Sequence, residues 1–278
     1  MKILLKNIKV LLRWLFLKAF GGILSADIKM VFGLLSDIFQ LTDSTMTKGV
    51  NDLKAFSDKC KWLLYKYSHA WIFLYGLIYL PWFAWLEKKV TYNYYVISSP
   101  LDKFIPFCEY FIVPYLFWFV YITVTALYFF FKDKQSFYQL AKFLITGMTF
   151  FLVVCTVFPN GLHLRPIVFT RDNIFIELVK FIYRTDTPTN VLPSLHVYNS
   201  IGCYIAISKD EKLCQKKWMK PAAFVTTVLI ILSTMFLKQH SVIDVCAAFL
   251  TAYVVFVFTY EPVRKKHPAF ARQTIKQI

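Results

Sequence analysis

The chain has 278 residues, of which 58% are hydrophobic, 19% aromatic and only 17% charged, with a formal net charge of +16. Soluble domains carry about 25% charged residues, so this composition is that of a membrane protein. The basic residues lie between long apolar runs, which excludes disordered, collagen-like, disulfide-stapled and nucleic-acid-binding classes together.

Residues 1–60 read as a cytoplasmic amphipathic arm. At about 100° per residue, Lys2, Lys6, Lys9 and Arg13 fall within a stripe of roughly 60°, with Leu, Ile, Trp and Phe around most of the remainder. Lys6, Lys9, Arg13 and Lys18 also interrupt any apolar run of signal-peptide length. A second segment, 23–41, carries Asp27, Lys29 and Asp37 and is less regular. Two roles stay open for the arm: a helix lying on anionic lipid headgroups, or a packing arm against the spans or a partner subunit.

Residues 61–278 are expected to form one all-α, polytopic bundle. A bilayer core of roughly 30 Å needs about 20 apolar residues per helix. Six segments approach this: 69–86, 110–131, 138–158, 195–207, 221–237 and 242–260. The fourth is short and carries Asn199 and Ser200, so it should face other helices or a wet cavity. With both termini on one side, 24 of the 32 Lys and Arg residues share that side. The bias predicts a multi-pass protein of the cell membrane with cytoplasmic termini. The six cysteines show no metal-finger spacing and read as small buried hydrophobes, so no metal or other cofactor is expected.

Polar residues collect at the span ends opposite the termini. The third span ends in Phe158-Pro159-Asn160-Gly161-Leu162-His163-Leu164-Arg165-Pro166. A loop with a short amphipathic helix near 172–183 follows, closing in Val191-Leu192-Pro193-Ser194-Leu195-His196. The fifth span ends in Lys238-Gln239-His240, and the sixth begins Ser241-Val242-Ile243-Asp244. Ionisable residues at span ends of so apolar a chain are candidates for function. His240 and Asp244 stand four apart at a helix start and share a face. A carboxylate there can hold one imidazole nitrogen and leave the other free to attack. His196 lies where a loop enters a helix, a place of unpaired backbone N–H groups suited to anions. Arg165 and Lys238 add fixed positive charge. Two histidines, a carboxylate and cations suit phosphoryl transfer through a phosphohistidine.

These motifs resemble the type-2 phosphatidic acid phosphatase superfamily, marked by K-x6-R-P, P-S-G-H and S-R-x5-H-x3-D. Here the second reads Pro193-Ser194-Leu195-His196, and the third reads Ser233-Thr234, five residues, His240, three residues, Asp244. The first survives as Arg165-Pro166, with Phe158 at the lysine position and, in the third motif, Thr234 at the arginine position. The resemblance spans about residues 105–260. It implies His240 as nucleophile, Asp244 as its orienting acid, and His196 as the acid that protonates the leaving group. Arg165 and Ser194 would bind phosphate, Lys238 could replace one of the missing cations, Asn160 could lend a neutral donor, and no metal would be needed. His163 matches no motif position. Ile105-Pro106-Phe107 and Pro114 also resemble the inositol-phosphorylceramide and sphingomyelin synthase branch, in which an alcohol replaces water as acceptor.

Three functions are therefore expected to compete. The first is hydrolysis of a membrane lipid phosphate or pyrophosphate at the extracytoplasmic face. The second is transfer of a phospho-head group to an alcohol. The third is non-catalytic lipid binding in a vestigial pocket, against which the intact His196, His240 and Asp244 argue.

Overall fold

The computed structural model describes residues 50–91 and 93–266. The cationic stripe from Lys2 to Arg13, the segment 23–41 and most of the expected arm lie outside the described residues. The described residues up to Ser68 belong to one unit and those from His69 onward to another. The break falls later than the expected boundary at residue 60, because helix α1 (Val50–Lys66) runs on through that position.

The second unit is all-α. A 3-10 turn, Ser68–Tyr75, continues into α2 (Gly76–Lys89). The apolar run of α3 (Ile112–Lys132) tolerates Pro114 because it sits in the first turn, where the amide has no intrahelical partner. The extended residue Asp133 stops α3 and caps α4 (Lys134–Val157), its carboxylate accepting from Ser136 N–H at 2.8 Å. Asn173 and Ser194 cap α5 (Ile174–Thr185) and α6 (Leu195–Lys209) in the same manner. Asp210 caps the short α7 (Glu211–Cys214) and receives the Lys132 amine. Two long helices follow, α8 (Met219–Phe236) and α9 (Val242–Lys266).

Among the described residues, five segments are long and apolar enough to cross a membrane: Ser68–Lys89, Glu109–Lys132, Lys134–Val157, Met219–Phe236 and Val242–Tyr260. This is the architecture of a multi-pass membrane protein. The expected fourth span takes a different form. Helix α6 has 15 residues, about 22 Å at 1.5 Å per residue, and is too short to cross alone. It is the centre of the bundle, packed by α3, α4, α8 and α9. Asn199 and Ser200 are buried there, which explains why its sequence is less apolar than its neighbours. Close approach of α4 is secured by Gly147, where an added Cβ would stand 2.0 Å from the Tyr198 ring. The Tyr198 hydroxyl donates to the Phe143 carbonyl at 2.7 Å across the same contact.

At the end of α6 that carries His196, three loops are sewn together by a two-stranded parallel ladder. Strand β1 (Tyr95–Val96) pairs with β2 (Asn160–Gly161), and Gly161 also bridges to Thr189. The cysteines follow expectation only in part: Cys155 and Cys203 are buried, whereas Cys214 and Cys246 are exposed on the outside of the bundle.

Candidate active site

His240 is set by the chain reversal after α8. The Thr234 carbonyl accepts both the Gln239 N–H at 2.9 Å and the His240 N–H at 3.1 Å, closing a turn that lays both residues against the helix end. Lys238 within this turn adopts a φ of 54°. The left-handed backbone costs a non-glycine residue roughly 1 kcal/mol, and the side chain offsets it. Its amine donates to the carbonyls of Asp102, at 2.8 Å, and Ile105.

Asp102 is a residue that motif reading missed. Its carboxylate accepts from Val242 N–H at 2.9 Å, Ser241 Oγ at 2.7 Å and Ser99 N–H at 2.7 Å. It therefore caps α9 and ties the 99–105 loop to the turn that bears His240. No local spacing reveals this, since Asp102 and Ser241 are 139 residues apart.

Asp244 stands in the first turn of α9, fully buried, with Oδ2 3.4 Å from His240 Nδ1 and 2.9 Å from Ser241 N–H. The contact at Nδ1 leaves the Nε2 side of the imidazole turned away from the carboxylate. His196, on the first turn of α6, has its ring centroid 5.8 Å from that of His240. Two aromatic faces hold it: Tyr115 at 4.6 Å and Trp118 at 4.2 Å between centroids. The Trp118 indole also donates to the His196 carbonyl at 3.1 Å. Ser194 is fully buried, and its Oγ accepts from Val197 N–H at 3.4 Å, which leaves its hydroxyl proton for another acceptor.

Arg165 reaches the same place from the loop after β2. It donates to the carbonyls of Tyr183 at 3.1 Å and Thr187 at 3.2 Å, and to Gln239 Oε1 at 2.5 Å. Its guanidinium lies 4.5 Å over the Tyr183 ring. Burial pushes the guanidinium down from its usual range, and Asp186 opposes that shift. Asp186 was also missed. Its carboxylate accepts from Tyr115 OH at 3.2 Å. Burial pushes it above the usual carboxylate range, against the pull of Arg165 and His240. Beyond it, Glu87 accepts from Thr187 Oγ1 at 2.5 Å and Asn190 Nδ2 at 2.8 Å.

Five expected residues thus come together: His196, His240, Asp244, Arg165 and Ser194. Two do not join them. Asn160 is fully buried, and its amide oxygen accepts from Val191 and Leu192 N–H, both at 2.9 Å, while its Nδ2 donates to the Phe158 carbonyl at 2.7 Å. Its carboxamide is spent on shaping the loop that presents Ser194 and His196. The Lys238 amine is bonded to the two carbonyls of the 99–105 loop rather than to the histidine cluster, and burial pushes its pKa down. His163 pairs with Tyr94 OH at 3.3 Å. Phe158, at the family's lysine position, stacks on Tyr95 with centroids 4.6 Å apart. Thr234, at the arginine position, is fully buried and turned back on its own helix.

Buried polar atoms without a hydrogen-bond partner gather at this point: Arg165 Nε, His196 Nε2, Gln239 Nε2, His240 Nδ1 and Asp244 Oδ1. Unpaired groups of this kind each cost about 1–3 kcal/mol, and their convergence on one spot is the mark of a binding site. No known protein family, curated protein or solved structure matches this chain.

Proposed function

We propose that the chain is a six-span membrane lipid phosphatase that acts at the extracytoplasmic face through a phosphohistidine. The observation that carries this reading is the His196–His240 pair, 5.8 Å between ring centroids, with Asp244 at Nδ1 of His240. In the proposed reaction, Nε2 of His240 attacks phosphorus and the bond from phosphorus to the lipid oxygen breaks. His196 in its protonated form gives its proton to that oxygen. Water then attacks the phosphohistidine, giving its proton to His196, and inorganic phosphate leaves. Arg165 and Ser194 neutralise and hold the phosphoryl oxygens. Helix α6 serves as the fourth span, shielded from lipid by its neighbours, and both termini are cytoplasmic as the Lys and Arg bias predicts.

A second reading is favoured by charge. Neither Phe158 nor Thr234 supplies a cation, Lys238 is engaged elsewhere, and Asp186 and Glu87 add carboxylates around Arg165. One guanidinium among carboxylates suits a singly charged phosphodiester better than a doubly charged monoester. That points to head-group transfer onto an alcohol, on the same histidine chemistry. Incubating the purified protein with lipid phosphates, and with phospholipids plus a lipid alcohol, separates the two. Free phosphate supports the phosphatase, a new phospholipid supports the transferase, and neither product overturns both.

A further inference from the structure

Helix α5 is amphipathic in a way that the bundle does not use up. Its inner residues Ile176 and Val179 are buried, and Val179 clusters with Ile112 and Tyr115 of α3 and with Leu237. Ile112 and Tyr115 lie within the apolar segment that begins at Glu109. Helix α5 is therefore packed at the depth where that span enters the membrane, not clear above it. Its outer side carries Ile174 and Phe181, 69% and 61% exposed. The loop before it places Ile167 and Val168 at 97% and 77% exposure, directly after Pro166.

This apolar surface is continuous with the flank of the spans. Phe175 of α5 meets Tyr110 edge-on at 5.2 Å. Tyr110 in turn lines an apolar groove of about 640 Å³ between α3 and α8, walled by Val113, Phe117 and Leu229. Exposed apolar clusters of this kind mark interaction surfaces. At this depth, beside lipid-facing helices, the partner is the bilayer itself. The last turn of α5 and the residues just after it hold Arg165, through the Tyr183 carbonyl and ring and the Thr187 carbonyl.

We propose that α5 and the 166–168 tip form an interfacial docking element. Its Ile167, Val168, Ile174 and Phe181 side chains seat in the lipid leaflet at the His196 end of the bundle, and a lipid substrate enters from that leaflet. The docking stands on its own, while the substrate entry rests on the catalytic reading above.

The test uses full-length protein in phosphatidylcholine–phosphatidylglycerol vesicles, with the accessible Cys60, Cys108, Cys214 and Cys246 replaced. Nitroxide labels on Val168→Cys and Phe181→Cys should collide readily with oxygen and poorly with a water-soluble nickel chelate, and a label on Lys212→Cys should do the reverse. Aqueous behaviour at both docking positions would overturn the proposal, as would spin–spin broadening that shows a second copy covering the patch. This readout does not depend on catalysis. In the second arm, a variant with Ile167→Ser, Val168→Ser and Phe181→Ser should turn over a long-chain lipid phosphate in vesicles at least about tenfold more slowly. Its rate on a soluble short-chain analogue should stay unchanged. Equal loss on both substrates would overturn entry from the leaflet.

Discussion

The backbone N–H of Ser194 donates to the carbonyl of Asp244 at 3.3 Å. This bond joins the segment that bears His196 to the helix that orients His240, so the two histidines are registered by main chain rather than by flexible side chains. Such backbone registration keeps catalytic groups within fractions of an ångström of a working geometry. It is independent of which residue stands at position 194, provided that the residue has an N–H.

Asn160→Ala should therefore damage the site without touching it. The substitution orphans the Val191 and Leu192 amides, which the Asn160 oxygen now satisfies. Two donors left unpaired, one buried and one part-buried, cost roughly 2–6 kcal/mol together. Thermal unfolding in detergent should show a clear fall in Tm. Unchanged stability together with weakened phosphate binding would return Asn160 to the role of neutral phosphate donor expected of it from the sequence.

Asp186→Asn tests the carboxylate that sequence reading missed. Burial raises the folded pKa of Asp186, so between its unfolded and folded values the native state holds the extra proton. Its contribution is thus fully present below the ordinary carboxylate range and is lost as pH rises through the folded pKa. The asparagine keeps an acceptor for Tyr115 OH but carries no charge. It should match the parent in acid and unfold at a higher temperature near neutral pH. The variant should also shift preference toward doubly charged lipid monoesters, by an order of about tenfold for one nearby charge removed. No change in either profile would mean that Arg165 already neutralises Asp186.

Much of this site was legible because its chemistry lies in short spacings. His240 and Asp244 are one helical turn apart, and Pro193-Ser194 announces the entry to α6. The long apolar helices were equally plain, since hydropathy acts over whole segments. What the sequence hid was every long-range polar partner. Asp102, Asp186 and Glu87 each bind groups far along the chain, and an isolated carboxylate in a loop looks the same whether it caps a helix or lines a pocket. The inward position of α6 was legible for the opposite reason. Its short length with Asn199 and Ser200 pointed to packing on other helices, and the four neighbours that surround it were what the sequence did not name.

Sidedness is open to direct measurement. Gly161 is unsuitable for a reporter, because an added Cβ would stand 2.7 Å from the Tyr94 ring and 2.8 Å from the Pro188 carbonyl. Lys103→Cys, on the exposed face of the loop that Asp102 anchors, serves instead. In intact cells, and with the accessible native cysteines replaced, it should react with an impermeant thiol reagent, whereas Lys212→Cys should react only after lysis. The opposite pattern would place the histidine pair on the cytoplasmic side.

The two histidines should separate kinetically. If His240 is the nucleophile, His240→Ala abolishes both turnover and covalent labelling by substrate phosphate. If His196 is the acid, His196→Ala slows formation of the labelled intermediate by roughly 10²–10⁴-fold for an alkyl leaving group, the usual worth of general acid help. An aryl phosphate leaves without a proton, so the same variant should lose far less on it. The packing of His196 between Tyr115 and Trp118 makes collapse of the aromatic pair an alternative cause of a slow variant. That cause would depress both substrates alike, so the leaving-group ratio discriminates. Asp244→Asn should leave the helix cap and folding intact, because Ser241 N–H retains an acceptor. Its rate should nevertheless fall by a factor of order 10⁴, since the imidazole loses the charge that fixes its tautomer. Full activity in His240→Ala would overturn the phosphohistidine mechanism, whereas neither turnover nor labelling in the parent protein would leave a lipid-binding protein with an unused histidine pair.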